Sequence, residues 1–136
     1  MPQMEWNESL ELGVERMDDT HREFIDLLNR LAEASDEGIW AAFEALFAHT
    51  VEHFEQERGW MAAIDFPPAH CHQAEHEGVL EAMREVRGYL GEGKLEVGRV
   101  LARELAEWFR GHAATMDAML AQFLRARGVP AEPVTA

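Results

Sequence analysis

The sequence predicts an all-α protein: an antiparallel up-down-up-down four-helix bundle preceded by an N-terminal arm. Three observations carry that expectation. Apolar residues recur at three- and four-residue spacing through four long stretches. Proline and glycine punctuate the boundaries between those stretches. No segment alternates apolar and polar residues as a half-buried strand would, and there is no internal repeat or low-complexity segment. With 136 residues the chain forms a single domain, 1–136, long enough to bury a core and too short for two.

Residues 1–17 contain apolar side chains without sustained helical spacing and read as an ordered arm. "MDDTHREFIDLLNRLAEAS" then offers Asp18 or Asp19 as an N-cap, acidic residues in the first turn, and Phe24, Ile25, Leu27, Leu28 and Leu31 along one face. This first helix ends near Ser35 to Gly38. A second helix over about 39–64 places Trp40, Phe43, Leu46, Phe47, Val51, Phe54 and Met61 on its apolar side. Gly59 costs it roughly 1 kcal/mol relative to alanine. "DFPPAH" breaks that helix, and Pro68 suits the start of a third, which runs through Val79, Leu80, Met83, Val86 and Leu90 to "GEGK". The fourth covers about 95–127 and buries Leu101, Leu105, Trp108, Phe109, Leu120, Phe123 and Leu124. Gly128, Val129 and Pro130 stop it, and 128–136 reads as a frayed tail. Four amphipathic helices with short links can bury their faces only against each other, which is the bundle.

Composition narrows the function. Twelve basic against 26 acidic residues give a formal charge of −14, which repels nucleic acid and anionic membranes. No run of eighteen apolar residues exists to enter a bilayer. "MPQMEWNESLELG" has neither the basic start nor the apolar run of a secretory signal, and the single Cys71 cannot form an internal disulfide. A cytoplasmic setting is the expectation.

The informative residues are polar ones at positions that should be apolar. His21 falls in register with Phe24, Ile25 and Leu28. His53 and Glu57 stack four residues apart on the face of Phe43, Leu46, Phe47 and Thr50. His72 and His76 are four apart, in line with Leu80 and Met83, and His112 follows Trp108 at four residues. Asp117, five residues after His112, is offset by roughly 140° on a regular helix, so the two should not stack but could approach one site from different angles. Each of these is ordinary alone, since a single histidine on an apolar face is commonly a hydrogen-bonded core residue. Together they place five histidines and two carboxylates inside one small bundle. Each unpartnered group would cost a few kcal/mol against a total stability of about 5–15 kcal/mol. Metal satisfies them collectively. One tetrahedral ion uses about four ligands, so seven suggest two ions bridged by the carboxylates. Imidazole suits several metals, and spacing alone leaves the element open.

The ordered set of motifs resembles the hemerythrin family in its single-domain bacterial form, bacteriohemerythrin, over nearly all of residues 4–125. "MEWNESLELGVERMDDTH" resembles the family's N-terminal segment leading to its first ligand. "HFEQE" followed by a methionine, then "FP" (usually YP in the family) and an HxxxH pair, and finally "WFRGHAATMD", follow its pattern in order. The resemblance implies that His72, His76 and His112 ligate one iron, that His21 and His53 ligate the other, and that Glu57 and Asp117 bridge them with a solvent-derived oxo or hydroxo group. It implies reversible dioxygen binding at the open position of the two-histidine iron, where small anions such as azide also bind. Oxygen carriage, storage or sensing is then the expected role, and not enzymatic turnover. The alternatives are a di-iron enzyme reducing peroxide or nitric oxide, and a metal-buffering bundle without oxygen chemistry. No protein recipient of the oxygen is indicated.

The chain departs from the family directly after His112, where a bulky aliphatic residue is usual and Ala113 stands here. Ala113 and Trp60 are therefore expected to line the oxygen pocket, with Trp60 refilling the volume that Ala113 leaves. His49, one turn before His53, reads as a hydrogen-bonded core histidine or as a group supporting a ligand. His70 is out of register with 72 and 76 and should be solvated. Cys71 lies roughly 100° from His72 around the helix and should miss the metals as a buried or semi-exposed bystander. The methionines read as core filler.

Overall fold

The computed structural model describes residues 2–128 and contains helices without strands among them. A short 3-10 turn, Glu8–Leu10, precedes α1 (Glu15–Ala32), α2 (Ile39–Ala63), α3 (Ala69–Gly91) and α4 (Glu96–His112). The last helix then passes through a π-helical turn, Ala113–Asp117, into α5 (Ala118–Arg127), with helical backbone angles at both junctions. Short links at 33–38, 64–68 and 92–95 reverse the chain three times. α1 packs on α2, α2 on α3, α3 on α4 and α4 back on α1, a closed ring of antiparallel neighbours. The expected four-helix bundle is present, with its fourth helix carrying an unforeseen π turn.

The arm is shorter than expected and better tied down. α1 begins at Glu15, a turn ahead of the expected caps, and Asp18 caps nothing. Its buried carboxylate instead accepts from the backbone amides of Leu12 (2.9 Å) and Gly13 (3.2 Å), folding the arm against the first turn. Gly13 makes that turn with φ +84, and a Cβ there would meet the Arg125 side chain at 3.1 Å. Further along, Asn29 accepts from the amides of Gln3 and Met4 and donates to the Met4 carbonyl at 2.7 Å. Arm and α1 are thus laced along most of their length. Pro68 takes the N-cap position of α3, and Gly128 closes α5 in the left-handed region with φ +67. Of the expected tail, 129–136 lie outside the described residues.

Several expected core positions are not buried. Trp40 and Val51 are 41% and 43% exposed, and Trp108 and Phe123 are half-buried. Met4, Met17, Met61 and Met83 are core, whereas Met116 is half-buried and Met119 exposed. The interior itself is divided. A larger apolar cluster gathers Phe24, Leu28, Phe43, Leu46, Met83, Leu105, Phe109 and Ala113 with their neighbours. A smaller one gathers Val14, Met17, Trp60, Met61, Ile64, Phe66, Leu120, Ala121 and Leu124 at the other end of the bundle. Along every helix the residues that separate the two clusters are polar.

Candidate metal centre

That intervening layer is the set of residues singled out from spacing. α1 supplies His21, α2 His53 and Glu57, α3 His72 and His76, α4 its last residue His112, and the π turn its last residue Asp117. None is more than 4% exposed. All five histidines turn Nε2 inward. Glu57 places Oε2 at 3.0 Å from His53 Nε2 and 3.5 Å from His21 Nε2, and Oε1 at 3.0 Å from His72 Nε2 and 3.4 Å from His76 Nε2. Asp117 places Oδ2 at 3.2 Å from His21 Nε2, and Oδ1 at 3.1 Å from both His72 and His112 Nε2. Each carboxylate therefore divides its two oxygens between the same two sets of imidazoles. The result is two ligand groups, each with its atoms within 4.8 Å of one another: Glu57, His72, His76, His112 and Asp117, and His21, His53, Glu57 and Asp117.

The π turn corrects the expectation for His112 and Asp117. On regular α-helix a five-residue separation leaves them on different faces; an i→i+5 turn brings both to the same one. Asp117 consequently touches His112 directly, at 3.1 Å. Local π turns are favoured where a site requires them and are invisible to a 3.6-residue periodicity.

Burial works against charge at every ring, and the neighbours decide the outcome. At His21 burial is outweighed by Asp117 and Glu57, and the pKa is pushed up to about 9. The same balance raises His72 to about 9, and Asp117 raises His112 against its burial. At His53 and His76 burial prevails over Glu57, and both are lowered. Glu57, despite its burial, is held well below the ordinary carboxylate range by His53, His21 and His72. Asp117 is lowered by His112, His21 and His72 in spite of burial and the adjacent Glu57. Without metal, protons on imidazole balance the two carboxylates.

The donor set also fits metal on local grounds. His21 Nε2 and both Asp117 oxygens are buried and lie at ion-pair distance from their neighbours, yet outside hydrogen-bonding geometry. His76 Nε2 and His112 Nε2 face each other at 3.1 Å, where two lone pairs need a cation or a proton between them. Imidazole with carboxylate is a donor set for divalent first-row metals.

The remaining expectations resolve individually. His49 is half-buried and pairs through Nε2 with Glu23 on the surface at 3.1 Å, so it is not a core hydrogen bond; it meets the ligand His53 only ring to ring, with centroids 6.0 Å apart. His70 is exposed, as expected; Cys71 is exposed, beyond the buried or semi-exposed placement expected, and belongs to neither ligand group. Ala113 is 2% exposed in the larger cluster, whereas Trp60 packs in the smaller, so Trp60 does not refill space beside Ala113. Trp60 instead lines, with His53, a solvent-open cleft of about 450 Å³ between α1 and α2. Sequence reading missed Glu75, whose carboxylate accepts from His112 Nδ1 at 2.9 Å. Its position next to His76 was the available signal, lost among 26 acidic residues.

Residues 12–124 match the family model described as the hemerythrin HHE cation binding domain. A bacteriohemerythrin of Ralstonia nicotianae is 45% identical over 128 residues, 94% of this chain and 93% of that one. A bacteriohemerythrin of Aquifex aeolicus is 30% identical over 118 residues, covering 79% and 87%. Among solved structures, a hemerythrin point mutant superposes with a TM-score of 0.81 at 25% identity over 91% of this chain and 98% of its own. These relatives are named hemerythrins, not enzymes.

Proposed function

Because the chain belongs to the hemerythrin family, we propose that its seven buried ligands hold two iron ions joined by a solvent-derived oxo or hydroxo bridge, and that the centre binds dioxygen reversibly. The observation that carries this reading is the division of Glu57 and Asp117, each sending one oxygen to a three-histidine group and the other to a two-histidine group. When bound, the two ions supply two electrons and an open coordination position.

The chain's own residues then set access and environment. His72, His76 and His112 crowd one position, while His21 and His53 leave the other short of a ligand. Above that poorer position Phe109 meets the His21 ring edge-on at 4.9 Å, and Phe24 meets His53 at 5.6 Å. Ala113 packs in the same apolar cluster, which supports it as pocket lining. Trp60 lies in the opposite cluster and lines the α1–α2 cleft together with His53. Dry, packed walls of this kind keep water and protons from a bound ligand. Small anions such as azide would take the same open position.

Oxygen carriage, storage or sensing in the cytoplasm follows. One unpaired, exposed cysteine fits a reducing compartment, and among the described residues no helix is long and apolar enough to cross a membrane. The deciding experiment is iron analysis with the optical spectrum of the ferrous protein before air, after air and after deoxygenation. Close to two irons per chain and a charge-transfer band that comes and goes with oxygen are expected. A silent spectrum would leave a metal-buffering bundle. Irreversible oxidation with peroxide consumed would favour an enzyme.

A further inference from the structure

We infer that Glu75 is a positioning residue for the three-histidine metal position, holding His112 in its Nδ1–H form and strengthening its Nε2 as a ligand. One oxygen carries the argument. Glu75 Oε1 lies 2.9 Å from His112 Nδ1 and 3.1 Å from Trp108 Nε1. An indole N–H can only donate, so this oxygen is an acceptor, and the His112 nitrogen facing it donates. With the ring's one proton on Nδ1, the Nε2 lone pair is free for a cation held between it, Asp117 Oδ1 and His76 Nε2, each 3.1 Å away. The same tryptophan stacks on His112 with centroids 4.4 Å apart and planes inclined by 21°, which blocks rotation of the ring.

No other ligand is supported this way. The Nδ1 atoms of His21, His53 and His72 are buried without a partner, and among the described residues only His112 donates from Nδ1 to a carboxylate. Glu75 is 39% exposed, so its charge remains largely solvated and inexpensive to keep. A carboxylate behind an imidazole increases the ring's basicity toward metal. The two metal positions therefore differ in more than ligand count: the three-histidine position has an extra negative charge one imidazole away. That charge favours the more oxidised state there.

The redox part of this inference rests on the proposed di-iron reading; the hydrogen bond does not, and the test separates them. Glu75→Gln keeps a carbonyl oxygen for both donors and removes the charge, while Glu75→Leu removes both. In metal-free protein in alkaline buffer, ring nitrogen NMR should find His112 protonated at Nδ1 in the wild type and in Glu75→Gln, and the proton shifted toward Nε2, which faces Asp117 at 3.1 Å, in Glu75→Leu. In iron-loaded protein, Glu75→Gln should keep its iron content but raise the midpoint potential and move the charge-transfer band. Glu75→Leu should bind one of its two ions roughly 10–100-fold more weakly. An unchanged His112 tautomer in Glu75→Leu, or an unchanged potential and spectrum in Glu75→Gln, would overturn the assignment. A wild type that takes up no iron would overturn the di-iron reading while the tautomer still decides Glu75.

Discussion

Glu57→Gln removes one charge while keeping nearly the same shape, and the geometry sets the size of its effect. Glu57 is fully buried and serves both ligand groups, with Oε1 on the His72 and His76 side and Oε2 on the His53 and His21 side. At about 4 Å and an effective dielectric near 20, a doubly charged ion gains about 8 kcal/mol from one carboxylate. If desolvation cancels two thirds, roughly 2.7 kcal/mol survives, about 100-fold in affinity. Both positions should lose it, because neither has a carboxylate to itself. The three-histidine position still keeps four side chains and the other keeps three. The expected iron content under limiting free metal is therefore at most about one per chain. His53→Ala is the paired control. It removes a ligand from one group only and should leave close to one iron, held with near wild-type affinity. The assay is metal analysis after equilibration against a chelator, with circular dichroism to verify the fold. Two irons retained by Glu57→Gln would refute the shared-bridge geometry, and loss of both ions in His53→Ala would refute the partition into two groups.

Metal uptake should be proton-coupled. With His21 and His72 raised to about 9, both are charged in the metal-free protein at neutral pH and must release protons to bind metal. Affinity should therefore rise with pH up to about 9 and fall toward pH 6, and calorimetry in buffers of different ionisation heat should register the protons; a flat affinity across this range would contradict the charge assignment. His49→Ala and His70→Ala should leave iron content at the wild-type level, the first costing less than about 1 kcal/mol as a partly exposed pair, whereas His72→Ala and His76→Ala should not. Loss of iron in His70→Ala with retention in His72→Ala would shift the α3 ligands by two residues. Ala113→Leu overfills a closed cluster and should cost about 1–3 kcal/mol in thermal melts while slowing autoxidation and azide entry. Trp60→Ala should cost about 3–5 kcal/mol and speed autoxidation by opening the cleft beside His53. Unchanged oxidation rates in both would remove these residues from the pocket.

Most of the centre was legible because its ligands sit where apolar periodicity demands a core residue. His21, His53, Glu57, His72 and His76 lie in phase with leucine and phenylalanine on uninterrupted α-helix, so register alone reveals them. Asp117 is different: its helix departs from the α repeat just before it, and the offset calculated for regular geometry does not apply. Glu75 was hidden because it ligates nothing and lies on a half-exposed flank, where glutamate is the default residue. The start of α1 was misplaced for a tertiary reason, since Asp18 serves the amides of Leu12 and Gly13 and not its own helix. Trp40 and Val51 show the limit of hydrophobicity as a guide, because a lone apolar side chain tolerates water.

The division of the interior by its polar layer has a consequence for how the molecule comes apart. Two apolar clusters that share no packing do not unfold as one body through packing alone; what joins them is the backbone of four helices and the seven side chains between. The smaller cluster is formed where helices end: the entry to α1, the end of α2 with the link that follows it, and the inner face of α5. In metal-free protein that end should open as a separate unit, and amide exchange there should be faster than around Phe24, Phe43 and Phe109. Metal tied to all four helical rods would make the two halves melt together, turning a chain with two weakly linked foldons into one cooperative domain.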